Sequence, residues 1–166
     1  MSFLYPTKII SGGQTGVDRA ALDWAMASDL THGGWCPFDR LAQDGKVPEQ
    51  YHLKETESSG YSQRTRMNIE DADATLIIHQ GLLAGGSKLT LRFAQELNKP
   101  HCLFDLDKPW SPQTEQVRQW CSTQSVHILN IAGPSESRHP GIYDLTRKLL
   151  PLIFSIKRPY GHQVAP

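Results

Sequence analysis

Residues 11–19 (SGGQTGVDR) combine three glycines with polar side chains in a pattern that could bind an anion. A short apolar run precedes them, and a helical pattern begins at Val17. Glycines let the chain turn at positive φ and let a ligand approach the backbone closely. The following helix adds unpaired N–H donors and the positive end of its dipole. We therefore expect a phosphate or another oxyanion here; the alternative is a tight strand-to-helix turn without a ligand.

This loop matches neither of the common nucleotide-binding loops. A P-loop needs a lysine after its last glycine, but Gly16 is followed by Val17 and Asp18. The dinucleotide pattern G-x-G-x-x-G is also missing, because the glycines fall at 12, 13 and 16. The sequence therefore argues against nucleoside triphosphate hydrolysis and leaves a more general anion site.

Three side chains of the loop modify this expectation. Gln14 and Thr15 favour a ligand, because they add donors where an anion would lie. Asp18 either interacts favourably with the helix dipole or holds Arg19 or a ligand hydroxyl. A bare carboxylate would repel phosphate, so we assign Asp18 no direct phosphate contact.

A second glycine loop, residues 85–90 (GGSKLT), repeats this design. Its glycines precede another helical pattern, and Ser87 and Thr90 supply hydroxyls. Ser87 could instead simply cap the helix. Two anion-binding helix starts on one sheet edge are a more specific signal than either alone.

Further candidates lie on other segments. Arg64 and Asn68 are neighbours on a predicted helix, where a guanidinium could form two bonds to a phosphate or carboxylate; the alternative is a surface arginine. Trp35 could stack on a flat ring or only cover the sheet edge. The seven histidines show no metal-ligand spacing, so we expect no metal site.

Strand-like and helix-like runs alternate along the chain. We predict strands at 8–11, 32–36, 74–79, 101–106 and 126–132. Helices are predicted at 17–28, 61–71, 142–154, near 87–97, and after a cap at Ser111-Pro112, where Val117, Trp120 and Cys121 form an apolar stripe. Residues 37–57 are predicted to form a long loop. This alternation predicts an α/β, Rossmann-like three-layer sandwich, with a mainly parallel sheet and helices on both faces. Ligands of such folds bind beyond the carboxyl ends of the strands.

Length and composition limit the function. The chain of 166 residues fits one domain over 1–156, followed by a tail, 157–166, without periodicity. Lys plus Arg and Asp plus Glu both number 17, which argues against broad nucleic-acid binding. We expect no membrane helix and no secretory signal. Three cysteines at irregular spacing favour a reduced, cytoplasmic protein.

Residues 12–23 (GGQTGVDRAALD) resemble the opening motif of the molybdenum cofactor carrier family. The similarity runs from about Ile9 to Pro151. The later segments that fit the family are residues 33–37, 44–45, 51, 61, 64–65, 68, 73–77 and 85–90. Two departures are Phe38-Asp39, where a basic residue and glycine are expected, and Gln43, where glutamate is expected. They remove one positive charge and alter the rim of the pocket.

The resemblance implies a Rossmann-like fold of the group that includes the DNA-processing protein A and cytokinin-activating phosphoribohydrolases. It implies binding of molybdenum cofactor, a pterin dithiolene with a terminal phosphate, as a bound ligand and not as a catalytic cofactor. It also implies homo-oligomers (a dimer or tetramer) and handover to molybdoenzymes. The residue patterns and the resemblance together give these candidate cofactor-binding residues: Gly12, Gly13, Gln14, Thr15, Gly16, Arg19, Trp35, Arg64, Asn68, Gly85, Gly86, Ser87 and Thr90.

Three functions remain as hypotheses. The first is a non-enzymatic carrier that binds, protects and delivers molybdenum cofactor or a related phosphorylated pterin. The second is a sensor of a nucleotide- or ADP-ribose-like ligand. The third is a nucleotide phosphoribohydrolase, which the sequence disfavours: after the second glycine loop the first carboxylate is Glu96, well beyond the first helical turn.

Overall fold

The computed structural model describes residues 5–154, so the predicted tail at 157–166 lies outside the described residues. Within them the chain alternates strands and helices. The strands are β1 (Lys8–Ile10), β2 (Thr31–Gly33), β3 (Trp35–Cys36), β4 (Leu41–Ala42), β5 (Gly45–Lys46), β6 (Lys54–Glu55), β7 (Ala74–His79), β8 (His101–Asp105) and β9 (Ile128–Ala132). The helices are α1 (Val17–Ala27), α2 (Tyr61–Asp71), α3 (Gly85–Glu96), α4 (Trp110–Thr123) and α5 (Ile142–Ile153).

Five parallel strands form the central sheet in the order β2-β1-β9-β7-β8. In the register, Ile9 lies opposite Leu129, and Leu76 lies opposite both Ile131 and Cys102. From β1 the chain crosses outward to β2, and from β7 it crosses in the opposite direction to β8. The topological switch point therefore lies around β9, where an open parallel sheet forms its ligand crevice.

Helices cover both faces of this sheet. Val17 and Trp24 of α1 share the main core cluster with Val117 of α4 and Leu149 of α5. A second cluster joins α2 and α3 around Phe93. Right-handed crossovers require this division, because β1–β2 and β7–β8 run in opposite directions along the sheet. The predicted three-layer α/β sandwich is confirmed.

The predicted strand at 32–36 is divided at Gly34. This residue has φ +124, and a Cβ there would meet the carbonyl oxygen of Ser11. Residues up to Gly33 stay in the central sheet, whereas β3 pairs with β6 in a separate two-stranded sheet. The prediction of one continuous strand is wrong, since the glycine redirects the chain.

The predicted long loop at 37–57 contains a 3-10 turn, the hairpin β4–β5 and the strand β6. Each strand spans two residues, which is too short to give a periodic sequence signal. The Arg40 guanidinium holds this segment together by donating to four backbone carbonyls, those of Val47, Pro48, Tyr51 and Leu53.

The helix after the second glycine loop begins earlier than predicted. α3 starts at Gly85 and follows Ala84, so Ser87 lies inside the first turn. The capping role suggested for Ser87 is wrong, because Ala84 is the N-cap residue and the Ser87 hydroxyl bonds to none of residues 5–154. The glycines are therefore part of the helix and not of the loop before it.

Candidate anion-binding site at the carboxyl edge of the sheet

Three loops meet at the carboxyl edge, where they follow β1, β7 and β9. Together with α2 and the β4–β5 hairpin they enclose a cavity of about 220 Å³. Five predicted site residues line it: Gln14, Arg64, Gly86, Ser87 and Thr90. Its further polar lining residues are Asp18, Gln43, Tyr61, Thr65, Ser135 and Arg138. The structure thus brings both glycine loops to one cavity, as the parallel sheet requires.

Arg64 crosses from α2 to the first glycine loop. Its Nη1 lies 3.4 Å from Oδ2 of Asp18, and its Cζ lies 5.7 Å from the centre of the Tyr61 ring. The guanidinium also lies directly against Gly12, where a Cβ would stand 2.5 Å from Cζ. Its Nε is buried and has no hydrogen-bond partner among residues 5–154. A buried donor without a partner costs free energy, which an anion bound directly to it would recover.

Asp18 is the carboxylate of this cavity wall, and it is 3% exposed. Its Oδ2 accepts the backbone N–H of Gln14 at 3.2 Å in addition to the contact with Arg64. Burial raises the pKa of the Asp18 carboxyl, and the nearby Arg64 charge opposes this effect. Asp18 therefore partly neutralises Arg64 whenever it is ionised.

Arg19 points away from Asp18 and binds a different carboxylate. Its Nη2 donates to Oδ1 of Asp44 at 2.7 Å, and its Nε donates to the carbonyl of Gly13 at 3.0 Å. This pairing lowers the pKa of Asp44. Arg19 does not line the cavity, and it contacts the first glycine loop through the carbonyl of Gly13.

The first turn of α3 forms the opposite wall. Ser87 is 3% exposed, and its hydroxyl has no hydrogen-bond partner in the part of the chain that the structure describes. The Thr90 hydroxyl, in contrast, donates to the carbonyl of Gly86 at 2.8 Å. Ser87 is therefore free to bind a ligand, in a turn whose backbone N–H groups and dipole favour negative charge.

Gln14 and Thr15 connect loops instead of presenting donors alone. Oε1 of Gln14 accepts the backbone N–H groups of Thr15 and Gln43, both at 3.0 Å. Oγ1 of Thr15 accepts the backbone N–H of Glu136 at 3.3 Å. These bonds join the first glycine loop to the β4–β5 hairpin and to the loop after β9.

Two glycines of the first loop have packing roles. Gly16 has φ +87, and a Cβ there would stand 2.5 Å from the carbonyl oxygen of Pro134. Gly13 has φ +77 and packs against Val47 and Leu53. Neither glycine lines the cavity, but both bring neighbouring segments close to it.

Trp35 and Asn68 lie at a separate place. The Asn68 side chain accepts the N–H of Trp35 at 2.8 Å and donates to its carbonyl at 3.0 Å. The indole N–H donates to Asp71 at 2.7 Å, and Lys54 lies over the ring. Trp35 borders a different cavity of about 50 Å³, which Lys8 also lines.

Sequence reasoning missed Arg138 as a site residue. Arg138 belongs to the loop after β9, and its guanidinium lies against Gly85, where a Cβ would stand 2.6 Å from Cζ. The guanidinium makes no hydrogen bond or ion pair with any residue of the described range 5–154. In the sequence, the pair Gly133-Pro134 directly follows a predicted strand, and this pair indicates a third loop at the same sheet edge.

A larger open groove of about 520 Å³ lies at the amino end of β8, between α3 and α4. Lys99 is the cationic side chain of this groove, and its Nζ already donates to the carbonyls of Glu70 and Ala72. The smaller cavity is the better candidate, since its buried donors lack partners.

Across residues 5–154, no group of three or more His, Cys, Asp or Glu side chains could hold a metal ion. In the same range no helix is long and apolar enough to cross a membrane. The cysteines Cys36, Cys102 and Cys121 are all free thiols.

No curated protein matches this chain. A solved structure does: the crystal structure of a protein from Syntrophus aciditrophicus SB described as a "putative molybdenum carrier protein". The two sequences are 46% identical, the similarity covers 92% of this chain and 97% of the other, and the TM-score is 0.89. The profile of the circularly permutated YpsA SLOG family matches residues 9–154. This chain therefore belongs to the circularly permutated YpsA SLOG family.

Proposed function

We propose that this protein binds molybdenum cofactor, or a related phosphorylated pterin, and protects and delivers it without catalysing a reaction. The observation that carries the proposal is a pair of buried donors on residues that line one cavity, Nε of Arg64 and the hydroxyl of Ser87, which have no hydrogen-bond partner within residues 5–154. A phosphate could accept from both and from the first turn of α3. The similarity to the molybdenum carrier protein named above supports the choice of cargo.

The size of the cavity determines how such a cargo would lie. Pockets that enclose whole drug-sized ligands measure about 300–1,000 Å³, and this one measures about 220 Å³. We therefore place the phosphate inside and the pterin at the mouth. Tyr61, which is 40% exposed, offers a flat aromatic surface there. Trp35, predicted from the sequence for this role, borders another cavity.

The chemistry of the cavity wall favours binding over catalysis. Glycoside hydrolysis typically uses two carboxyl groups, one as an acid and one as a nucleophile or base. The cavity lining within residues 5–154 holds one carboxylate, Asp18, and Arg64 is its ion-pair partner. A carrier needs complementary charge, which this wall provides through Arg64 and Arg138.

The decisive experiment measures the decay of free molybdenum cofactor in air, with and without the protein. We expect the protein to slow the decay, and we expect Arg64→Gln and Ser87→Ala to weaken the effect. Lys88→Gln, on the same helix but outside the cavity lining, is the matched control. Equal decay with and without protein would refute the proposal.

A nucleotide or ADP-ribose-like ligand is the alternative, because the crevice at the switch point of a Rossmann-like sheet suits nucleotides. Thermal unfolding distinguishes the two, since the midpoint rises with ln(1 + [L]/Kd) for whichever ligand binds. Stabilisation by nucleotides but not by pterin phosphates would favour the sensor function.

We also propose that the protein is a cytoplasmic homo-oligomer that hands its cargo to molybdoenzymes. Leu103 on the edge strand β8 is 41% exposed, and it offers an apolar contact for a second copy. Light scattering after size-exclusion chromatography should give a mass above the 18.6 kDa of one chain. A monomer at micromolar concentration would contradict the oligomer.

A further inference from the structure

Arg138 occupies an electrostatically unusual position. Its guanidinium lies against Gly85, the first residue of α3, and therefore at the positive end of the helix dipole. A cation at this end is repelled, and no carboxylate within residues 5–154 pairs with Arg138. An anion between the guanidinium and the helix would turn this repulsion into attraction.

The loop that carries Arg138 is firmly held. The Glu136 carboxylate accepts the backbone N–H groups of Gly141 at 2.5 Å and Tyr143 at 3.0 Å, at the start of α5. The Ser137 hydroxyl donates to Oε1 of Gln43 at 2.5 Å. These bonds hold the residues that precede Arg138 at the edge of the cavity, which Arg138 lines.

The charges that line the cavity do not balance. Arg64 and Arg138 contribute two positive charges, and Asp18 contributes at most one negative charge. The α3 dipole adds further positive potential. The buried Ser87 hydroxyl, which lacks a partner, lies in the same wall and supplies a neutral donor. The site is therefore complementary to a group with more than one negative charge.

We propose that Arg138 is the second cationic ligand of this cavity and makes it prefer a terminal phosphate monoester to a phosphodiester. A monoester carries about −1.5 to −2 charges at pH 7 and has three free oxygens, whereas a diester carries a single charge and has two. Arg64 and Arg138 can then bind different oxygens of one group. The inference rests on the proposed function only in requiring an anion in this cavity.

Methyl phosphate and dimethyl phosphate test this preference, because they differ in charge and hardly in size. Dissociation constants are measured for the full chain by NMR titration, for the wild type, Arg138→Gln and Lys88→Gln. We expect the wild type to bind the monoester about tenfold more strongly, which is the affinity of roughly one charge-assisted hydrogen bond. Arg138→Gln should bring this ratio close to one, and Arg138→Lys should restore part of it.

Lys88→Gln also removes one positive charge near the first turn of α3, which Arg138 contacts at Gly85. Lys88, however, does not line the cavity. The substitution should leave the ratio within about twofold of the wild type, because its charge lies outside the cavity. An unchanged ratio in Arg138→Gln, an equal loss in Lys88→Gln, or no binding of either probe by the wild type would overturn the proposal.

The probes contain neither pterin nor molybdenum, so the two proposals can fail separately. A protein that prefers the monoester but does not slow cofactor decay keeps the role of Arg138 and loses the carrier function. A protein that slows the decay without preferring the monoester keeps the carrier function and loses the proposed role of Arg138.

Discussion

Replacing Asp18 with asparagine is expected to strengthen anion binding. Asp18 lies 3.4 Å from Arg64 and reduces its positive charge when ionised. Asparagine has almost the same shape, and its carbonyl can still accept the N–H of Gln14. The substitution therefore removes the negative charge and keeps the local geometry.

The size of the effect follows from the geometry. An anion oxygen on the far side of the Arg64 guanidinium would lie about 7 Å from the Asp18 carboxylate, given hydrogen bonds of about 2.8 Å. At an effective dielectric constant of about 20, the repulsion at this distance is about 2 kcal/mol per unit charge. Its removal corresponds to about a 30-fold gain in affinity for each unit of charge on the bound anion.

Sulfate is the appropriate probe, because it remains a dianion throughout the pH range of interest. Burial raises the pKa of Asp18, so at low pH the wild type is protonated there and should bind sulfate like Asp18→Asn. As the pH rises through this pKa, wild-type affinity should fall while the affinity of the variant stays level. Calorimetric titration across this range measures both.

Stability gives a second readout with a definite sign. Because the folded-state pKa of Asp18 lies above the model value of 3.8, ionisation disfavours the folded state at higher pH. Asp18→Asn should therefore be more stable than the wild type at neutral pH, and the difference should vanish below pH 3.8.

Asp44→Asn is the control, because Asp44 pairs with Arg19 outside the cavity lining. It should leave sulfate affinity within about twofold of the wild type. Since the pKa of Asp44 is lowered, any stability that its charge provides is present at neutral pH and is lost as the pH falls. Weaker sulfate binding by Asp18→Asn would refute this reasoning and would show that Asp18 is needed to orient Arg64.

Three further substitutions test other parts of the site and the fold. Gln43→Glu keeps an acceptor for Ser137 but adds a negative charge to the cavity rim, so phosphate affinity should fall about fivefold to tenfold; an unchanged Kd would count against an anion site. Thr146→Val removes a buried hydroxyl without a partner and should raise stability by about 1 kcal/mol, or about 2–4 °C in Tm, whereas Thr114→Val removes a satisfied hydroxyl and should lower it. Gly16→Ala combines φ +87 with a backbone clash and should cost at least about 2 kcal/mol in urea unfolding; wild-type stability would contradict the packing described here.

Much of the fold could be predicted from the sequence, because long elements leave a periodic signal. The buried strand at 74–79 and the helix at 61–71 have the predicted bounds. The segment 37–57 could not be predicted, since its strands have two residues each and Arg40 holds it together through backbone carbonyls. A single side chain that organises a loop leaves no repeating pattern.

The candidate site, like the fold, could be predicted from the sequence only in part. Glycine loops directly after strands indicated the carboxyl edge, and the structure places Gln14, Arg64 and Ser87 around one cavity there. Trp35 lies elsewhere because Gly34 turns the chain out of the central sheet, and the Asn68 side chain is hydrogen-bonded to the Trp35 backbone there.

The sequence by itself determined the layered α/β fold and the sheet edge at which an anion would bind, because periodicity and glycine placement are local properties of the chain. Only the tertiary structure decided which charges share the cavity. Arg64, Arg138 and Asp18 are far apart in sequence, and the order of the strands brings them together. The unsatisfied state of Arg64 Nε and the Ser87 hydroxyl is likewise a property of the packed molecule, since it depends on every neighbour that could have bonded to them.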